Sequence, residues 1–353
     1  MLTIALIYGG QSSEHSVSCV TALGVLSAID QSKYRVIQVG ITKSGRFADF
    51  PVSRDWTLAQ YPEVSASAPE ISFTPGSNLV TLANGESVKI DLAFPVLHGP
   101  NGEDGSVQGL LQLMGVPYVG NGVLASSLAM EKSKAKAVFR DAGVSVADEI
   151  VIDRSGWKLD RATELQRAQT FAKSDVFVKP SRSGSSVGVT LVKNRSDLEA
   201  AIDLALSLDQ TALVEERVVG REVECSVLEK PTGELVVSVA GEIVVTGREF
   251  YDYEAKYLDG GADLLVPTVL SESELSQMQE LAIRAFRALG CSGLARTDFF
   301  LTKSGFVLTE VNTMPGFTPI SMYPSLFAAS GVSYTQLIHT LIETGLAKGT
   351  DPR

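Results

Sequence analysis

Leu294-Ala-Arg-Thr-Asp-Phe-Phe-Leu-Thr, Lys303-Ser-Gly305, Phe306-Val-Leu-Thr-Glu-Val-Asn-Thr-Met-Pro-Gly316 is the stretch on which the fold of this 353-residue chain turns. Two β-rich runs flank a short turn that contains glycine, which predicts a hairpin. Side chains alternate faces along a strand. Arg296, Asp298 and Phe300 are therefore expected on one face of the first strand, and Leu308, Glu310 and Asn312 on one face of the second. Charged groups among apolar neighbours are costly unless a cation or a ligand compensates them. Asp298, Glu310 and Asn312 offer hard oxygen donors, two of them anionic, a set that suits Mg²⁺ or Mn²⁺ and not zinc. Arg296 beside them can hold a phosphate or a carboxylate in its bidentate fork. The same residues also admit a plainer reading, a surface salt bridge between the two strands.

The length suggests two or three domains. Hydrophobic residues make up 44% of the chain, ordinary for a globular protein, and the formal charge is −11. Nucleic-acid surfaces are normally basic, so none is expected here. An acidic protein that binds an anion must gather its Lys and Arg locally. Cys19, Cys225 and Cys291 are too scattered for a disulfide framework or a metal motif and read as small buried residues in a reducing compartment. The apolar start breaks at Gly9-Gly10 without a basic leader, so it reads as a core strand and not a signal peptide. No apolar run approaches a membrane span, and a cytoplasmic location is expected.

Three units are predicted, 1–125, 126–215 and 216–353. The first alternates strands and helices in the manner of an open α/β sheet: strands over 4–8, 34–41 and 92–97, helices over 17–29 and 107–114. Ligands collect outside the carboxyl ends of such strands, where the loops Gly9–Glu14 and His98–Gly105 would lie. The second is a small α+β lobe with one lysine-rich helix over 127–140 and strands over 176–179 and 212–215. The third holds antiparallel strands, a polar aromatic loop over 247–262, a helix announced by the capping box Ser271-Glu-Ser-Glu274, the hairpin, a loop containing Pro and Gly, and a closing helix.

Several segments carry the marks of chemistry. Lys179-Pro-Ser-Arg-Ser-Gly-Ser-Ser-Val-Gly188 brings a lysine from a strand into a Gly/Ser loop, whose N–H groups can approach phosphate oxygens. It also contains a literal G-x-S-x-G around Ser186, which raises a serine hydrolase as a competing reading. That elbow needs a helix directly after the serine, whereas Val187-Gly-Val-Thr-Leu-Val192 alternates like a strand. Val214-Glu-Glu-Arg-Val-Val219 reads either as a hinge strand that presents backbone groups to an adenine edge, with Glu222 toward a ribose hydroxyl, or as an acidic surface turn. The loop with Lys256 and Tyr257 has the length and composition of a lid that excludes water. His98 and Glu14 read equally as ligand contacts or as a turn cap and an early-helix acid.

Taken together and in this order, Gly9-Gly-Gln-Ser-Ser-Glu-His15, His98-Gly-Pro-Asn-Gly-Glu-Asp-Gly105, Met130-Glu-Lys132, the 179–188 segment, Phe250-Tyr-Asp-Tyr-Glu-Ala-Lys-Tyr257 and Glu310-Val-Asn-Thr-Met-Pro-Gly-Phe-Thr318 resemble the D-alanine–D-alanine ligases of the ATP-grasp superfamily over nearly the whole chain. The resemblance implies a three-domain ATP-grasp fold and ATP-driven joining of two D-alanines for peptidoglycan synthesis, with a homodimer as the assembly. By position it implies that Lys132, Lys179 and Lys256 contact ATP and that Glu215, Glu216, Val218 and Glu222 line the adenine and ribose. Asp298, Glu310 and Asn312 would hold two Mg²⁺ or Mn²⁺ ions. Glu14 would take the first D-alanine's ammonium, with His98 nearby and Ser185 and Tyr257 in a relay. Lys256 and Ser321 would take the second carboxylate, and Arg296 with the Gly316 N–H would face the oxyanion. Glu131 departs from the family's aspartate before the lysine. A sister ligase making D-alanyl-D-lactate and a silent nucleotide-binding module are the remaining alternatives.

Overall fold

Residues 1–182, 184, 186–245 and 262–351 are described in the computed structural model. The chain opens with β1 (Leu2–Gly9), α1 (His15–Ala28), β2 (Tyr34–Ile41) and β3 (Phe47–Ala48), followed by a three-stranded flap of β4 (Ser72–Phe73), β5 (Leu79–Thr81) and β6 (Ser87–Lys89). Next come β7 (Leu92–Pro95) and α2 (Ser106–Leu113). β1 pairs in parallel with both β2 and β7, and the sheet order is β3-β2-β1-β7. The unbroken apolar run Ile4-Ala-Leu-Ile-Tyr8 is at most 1% exposed, as a parallel strand covered on both faces requires. The carboxyl ends of β1 and β7 deliver the Gly9–Glu14 and His98–Gly105 loops to one edge, as expected. Gly9 takes φ +90°, and a Cβ there would stand 2.3 Å from the Ile41 carbonyl oxygen, so only glycine fits.

The single helix expected over 127–140 is two, α3 (Val123–Met130) and α4 (Lys132–Asp141). The break is at Glu131, whose backbone leaves the helical region (φ −89°, ψ 88°). Its carboxylate binds the hydroxyls of Ser133 and Ser181, and Lys132 N–H donates to Ser181 O at 3.2 Å. The root of the Gly/Ser loop is thus fastened to the start of α4, and the longer glutamate at this position is fully used. There follow β8 (Glu149–Asp153), α5 (Arg154–Leu159), α6 (Arg161–Phe171), β9 (Val176–Pro180), β10 (Thr190–Val192), α7 (Leu198–Leu208) and β11 (Thr211–Glu216), whose strands form an antiparallel sheet in the order β10-β9-β11-β8.

The last part contains β12 (Arg221–Glu229), β13 (Leu235–Val237), β14 (Gly241–Val245), β15 (Ala262–Leu265), α8 (Glu272–Ala288), β16 (Leu294–Thr302), β17 (Gly305–Asn312), α9 (Met322–Ala329) and α10 (Tyr334–Lys348). The sheet order is β15-β14-β12-β16-β17, with β13 beside β12. The capping box forms as expected: Ser271 Oγ accepts from Glu274 N–H at 3.2 Å, and Glu274 Oε2 accepts from Ser271 N–H at 2.8 Å. α9 was not expected, because Pro324 reads as a helix breaker. It sits in the first turn, where an N–H has no intrahelical partner to lose.

The units share cores. Phe317 and Tyr323, with Leu337 and Leu341 of α10, pack against Leu6 and Phe94 of the first sheet. Ala135 and Phe139 of α4 pack against Phe299, Phe306 and Leu308 of the hairpin. One expectation fails here. Leu308 does not share a face with Glu310 and Asn312; it is 1% exposed in the core with Phe306 and Val311. The register slips between Asp298 and Phe299, with Thr309 as the extra residue, and this bulge inverts the alternation.

Candidate active site

The bulge leaves the polar residues of the hairpin together. Asp298 lies opposite Glu310, and Arg296 opposite Asn312. Arg296 Nε and Nη2 each donate to a separate Asp298 oxygen at 2.7 Å, and Nε lies 3.0 Å from Glu224 Oε2 on β12. Asn312 Nδ2 donates to Asp298 Oδ2 at 2.8 Å, and Lys132 Nζ stands 3.6 Å from Glu310 Oε2. Side-chain exposures of 18% for Arg296, 14% for Asp298 and 5% for Glu224 exclude the surface salt bridge. Glu224 was not singled out from sequence. The signal was its spacing of two from Glu222 on a strand, which puts both on one face.

Among the described residues, no group of three or more His, Cys, Asp or Glu is placed to hold a metal. The set here is two carboxylates and an amide, all able to present oxygen. That chemistry fits a hard divalent cation, as does the way these acids gather cations (Arg296 and Lys132) around them.

Behind the hairpin lies a cavity of about 220 Å³ whose walls include Lys179, Glu215, Glu222, Asp298 and Phe300. Lys179 Nζ is 2.7 Å from Glu215 Oε1, and Glu215 Oε2 is held by Lys136. Burial would raise the Glu215 carboxyl, but Lys179 and Lys136 more than offset it and leave its pKa below the ordinary range. Glu216 and Val218 do not line this cavity. Glu216 points to the opposite face of β11, beside Asp148 and Thr163, as alternation demands.

A second cavity of about 360 Å³ is walled by Glu14, His98, Glu103, Asn312, Gly316 and Ser321, among others. Lys132, Gly184, Glu224, Ile243, Arg296 and Glu310 line both cavities. The two therefore meet at a common wall of cations and acids. Gly99 is required here: its φ is +74°, and a Cβ would stand 2.6 Å from Ser12 Oγ and 3.1 Å from Glu14 Oε2. Gly184 of the Gly/Ser loop also reaches the same carboxylate, a Cβ on it lying in ordinary contact at 3.7 Å from Glu14 Oε2. His98 Nδ1–H donates to Met314 O at 3.2 Å, which leaves Nε2 to accept from the Thr21 hydroxyl at 3.1 Å. Burial pushes the His98 pKa down, against the pull of Glu14 and the Met314 carbonyl, so the ring is neutral. Ser321 Oγ accepts from Thr318 N–H at 3.1 Å at the start of α9.

Glu103 was quoted within its motif but given no role from sequence. Burial, then the neighbouring Glu14 charge, raise its carboxyl to about 8, although Gly99 N–H donates to it at 2.5 Å. The folded protein therefore holds this proton to about pH 8, whereas the unfolded chain releases it near 4.5. The associated stability is complete below about 4.5 and is lost as pH climbs through about 8. Glu103→Gln is expected to close that window. In ligand-free denaturation, the variant should gain on the wild type by on the order of 1–3 kcal/mol between pH 5 and pH 9. A difference that stays constant with pH would contradict this placement of Glu103.

Ser185, Lys256, Tyr257 and nearly all of the expected lid over 247–262 lie outside the described residues. Ser186 has a positive φ of 57°, but a turn and then β10 follow it, not the helix a nucleophile elbow needs. The histidines are engaged elsewhere: His15 with Gly10 O and Val64 N–H, His98 as above, and His339 with the Tyr34 hydroxyl. None of the three histidines is thus placed as the base of the hydrolase alternative.

Two family models match the chain, "D-ala D-ala ligase N-terminus" over residues 3–121 and "D-ala D-ala ligase C-terminus" over residues 138–343. A D-alanine–D-alanine ligase of Mycolicibacterium vanbaalenii is 46% identical, with 100% of this chain and 99% of the relative covered. That of Mycolicibacterium smegmatis is 44% identical over 99% and 97%. Among solved structures, the VanG D-Ala:D-Ser ligase from Enterococcus faecalis superposes with a TM-score of 0.86 at 35% identity, covering 98% of this chain and 99% of that one. The D-alanine–D-alanine ligase from Coxiella burnetii gives 0.83 at 34%, covering 99% and 94%.

Proposed function

The chain belongs to the D-alanine–D-alanine ligase family and joins two D-alanines in an ATP-dependent, ADP-forming reaction for cell-wall synthesis; we propose that its two cavities divide this work, the one by Lys179 taking the nucleotide and the one by Glu14 the amino acids. The observation that carries the division is the common wall of Lys132, Arg296 and Glu310, which touches both spaces.

A carboxylate is a poor acyl donor because its leaving group would be oxide. One oxygen of the first D-alanine attacks the γ-phosphorus, ADP departs, and the resulting acyl phosphate has phosphate as its leaving group. Glu14 holds the ammonium of that first D-alanine, which aims its carboxylate at the wall. Lys132 and Lys179 neutralise the triphosphate, so chemistry here is placement and charge compensation. Asp298, Glu310 and Asn312 are the residues to hold two Mg²⁺ ions, which when bound would neutralise charge developing on the phosphoryl oxygens. The second D-alanine lies near Ser321, its unprotonated amine attacks the acyl carbon, and Arg296 with the Gly316 N–H stabilises the oxyanion. Lys256 at the second carboxylate, and Ser185 with Tyr257 in the proton relay and lid, complete this proposal. Glu222 serves the ribose, and the backbone beside Glu216 and Val218 the adenine. The three-unit division, a homodimer through the amino-terminal unit and a cytoplasmic location belong to the same reading.

The test is a product assay with ATP, Mg²⁺ and D-alanine as the only amino acid. Equal amounts of ADP and D-alanyl-D-alanine are expected. At neutral pH, D-lactate should replace the second D-alanine poorly. A preference for D-lactate would transfer the chain to the ester-forming sister activity, and no ADP at all would make it a silent nucleotide binder.

A further inference from the structure

Lys136 has no task in the reaction as described, yet its side chain is only 2% exposed. Buried ammonium groups persist when they are paired. Its Nζ lies 2.8 Å from Glu149 Oε2 and contacts Glu215 Oε2. Glu149 is shared with Arg140, and Glu215 gives its other oxygen to Lys179 at 2.7 Å. A line of alternating charge thus runs Arg140, Glu149, Lys136, Glu215, Lys179, through α4, β8, β11 and β9, and ends in the nucleotide cavity. Its three cations face two carboxylates, which leaves one positive charge over. Lys132 lies one helical turn before Lys136 on the same face of α4, and stands on the wall common to both cavities.

We infer that Lys136 is a positioning residue for ATP: it neutralises Glu215 so that the charge of Lys179 remains available to the triphosphate, and it anchors α4 so that Lys132 faces the same anion. The inference rests on the ligase reading, because the triphosphate is the anion at issue. Without Lys136, Glu215 keeps Lys179 as its one close counter-ion, and the pair closes on itself against the ligand.

The test is Lys136→Met made in the wild type and in the Glu215→Gln background, with direct Mg-ATP binding and the KM values for ATP and for D-alanine as readouts. In the wild type it should weaken ATP binding about tenfold or more while each D-alanine KM stays within about twofold. In the Glu215→Gln background, where the carboxylate it neutralises is gone, the same substitution should change ATP affinity by less than about threefold, whatever Glu215→Gln itself costs. That background also carries the test alone if Lys136→Met does not fold in the wild type. Equal rises in the ATP and D-alanine KM values, or a further loss of about tenfold in the Glu215→Gln background, would overturn the role of Lys136. Wild-type protein that fails to bind Mg-ATP would instead remove the ligase reading beneath it.

Discussion

Asp298→Asn and Glu310→Gln are each expected to lower turnover about 10³-fold or more, with the protein still folded. Both changes keep size and hydrogen-bonding capacity and remove one negative charge. The strands need neither carboxylate, since β16 and β17 are paired through their backbones on both sides of the bulge. On the proposed reading the activity does need them: they would supply the anionic oxygens of a site for divalent cations beside the triphosphate, and an amide is a far weaker ligand for a hard cation. The two variants should differ in stability. Asp298 takes both guanidinium bonds of Arg296, whereas Glu310 meets Lys132 at the longer 3.6 Å. Asp298→Asn should therefore melt lower than Glu310→Gln. Phosphate release with saturating ATP, Mg²⁺ and D-alanine reads the first effect and thermal denaturation the second. Activity within about tenfold of wild type in either variant would remove the residue from the metal set.

What could be read in the amino-acid order, and what could not, follows the range of the forces involved. Arg296, Asp298, Glu310 and Asn312 were legible because alternation along a strand is strictly local. The bulge was not, because Thr309 suits either face and nothing in the order of residues marks an inserted position. The loops after β1 and β7 were legible as neighbours because parallel strands put their carboxyl ends on one edge. Glu224, Glu103 and Lys136 were missed for a common reason. Each is a charged side chain whose meaning comes from partners distant in the sequence that the fold brings to it: Arg296 for Glu224, Glu14 for Glu103, and Glu149 with Glu215 for Lys136. In a lysine-rich helix, Lys136 reads as a solvated residue until β8 and β11 cover it.

Arg296→Met is the substitution expected to cost the most stability, about 3–5 kcal/mol, because it leaves Glu224 and Asp298 facing one another without their shared cation. Arg296→Lys should lose less. Its ammonium restores the charge but cannot bond both Asp298 oxygens while also reaching Glu224, a division of labour that depends on the guanidinium fork. In activity the two variants should converge: neither presents the guanidinium fork proposed to face the oxyanion from the wall between the cavities, and kcat should fall by about 10²–10³. The split between stability and rate is the discriminating result. If Arg296 only glued the sheet together, the lysine variant would recover activity in proportion to its recovered stability. Denaturant unfolding of both variants alongside their kcat values decides it: a lysine variant with near wild-type kcat would make Arg296 a structural cation and pass the oxyanion to the Gly316 N–H alone.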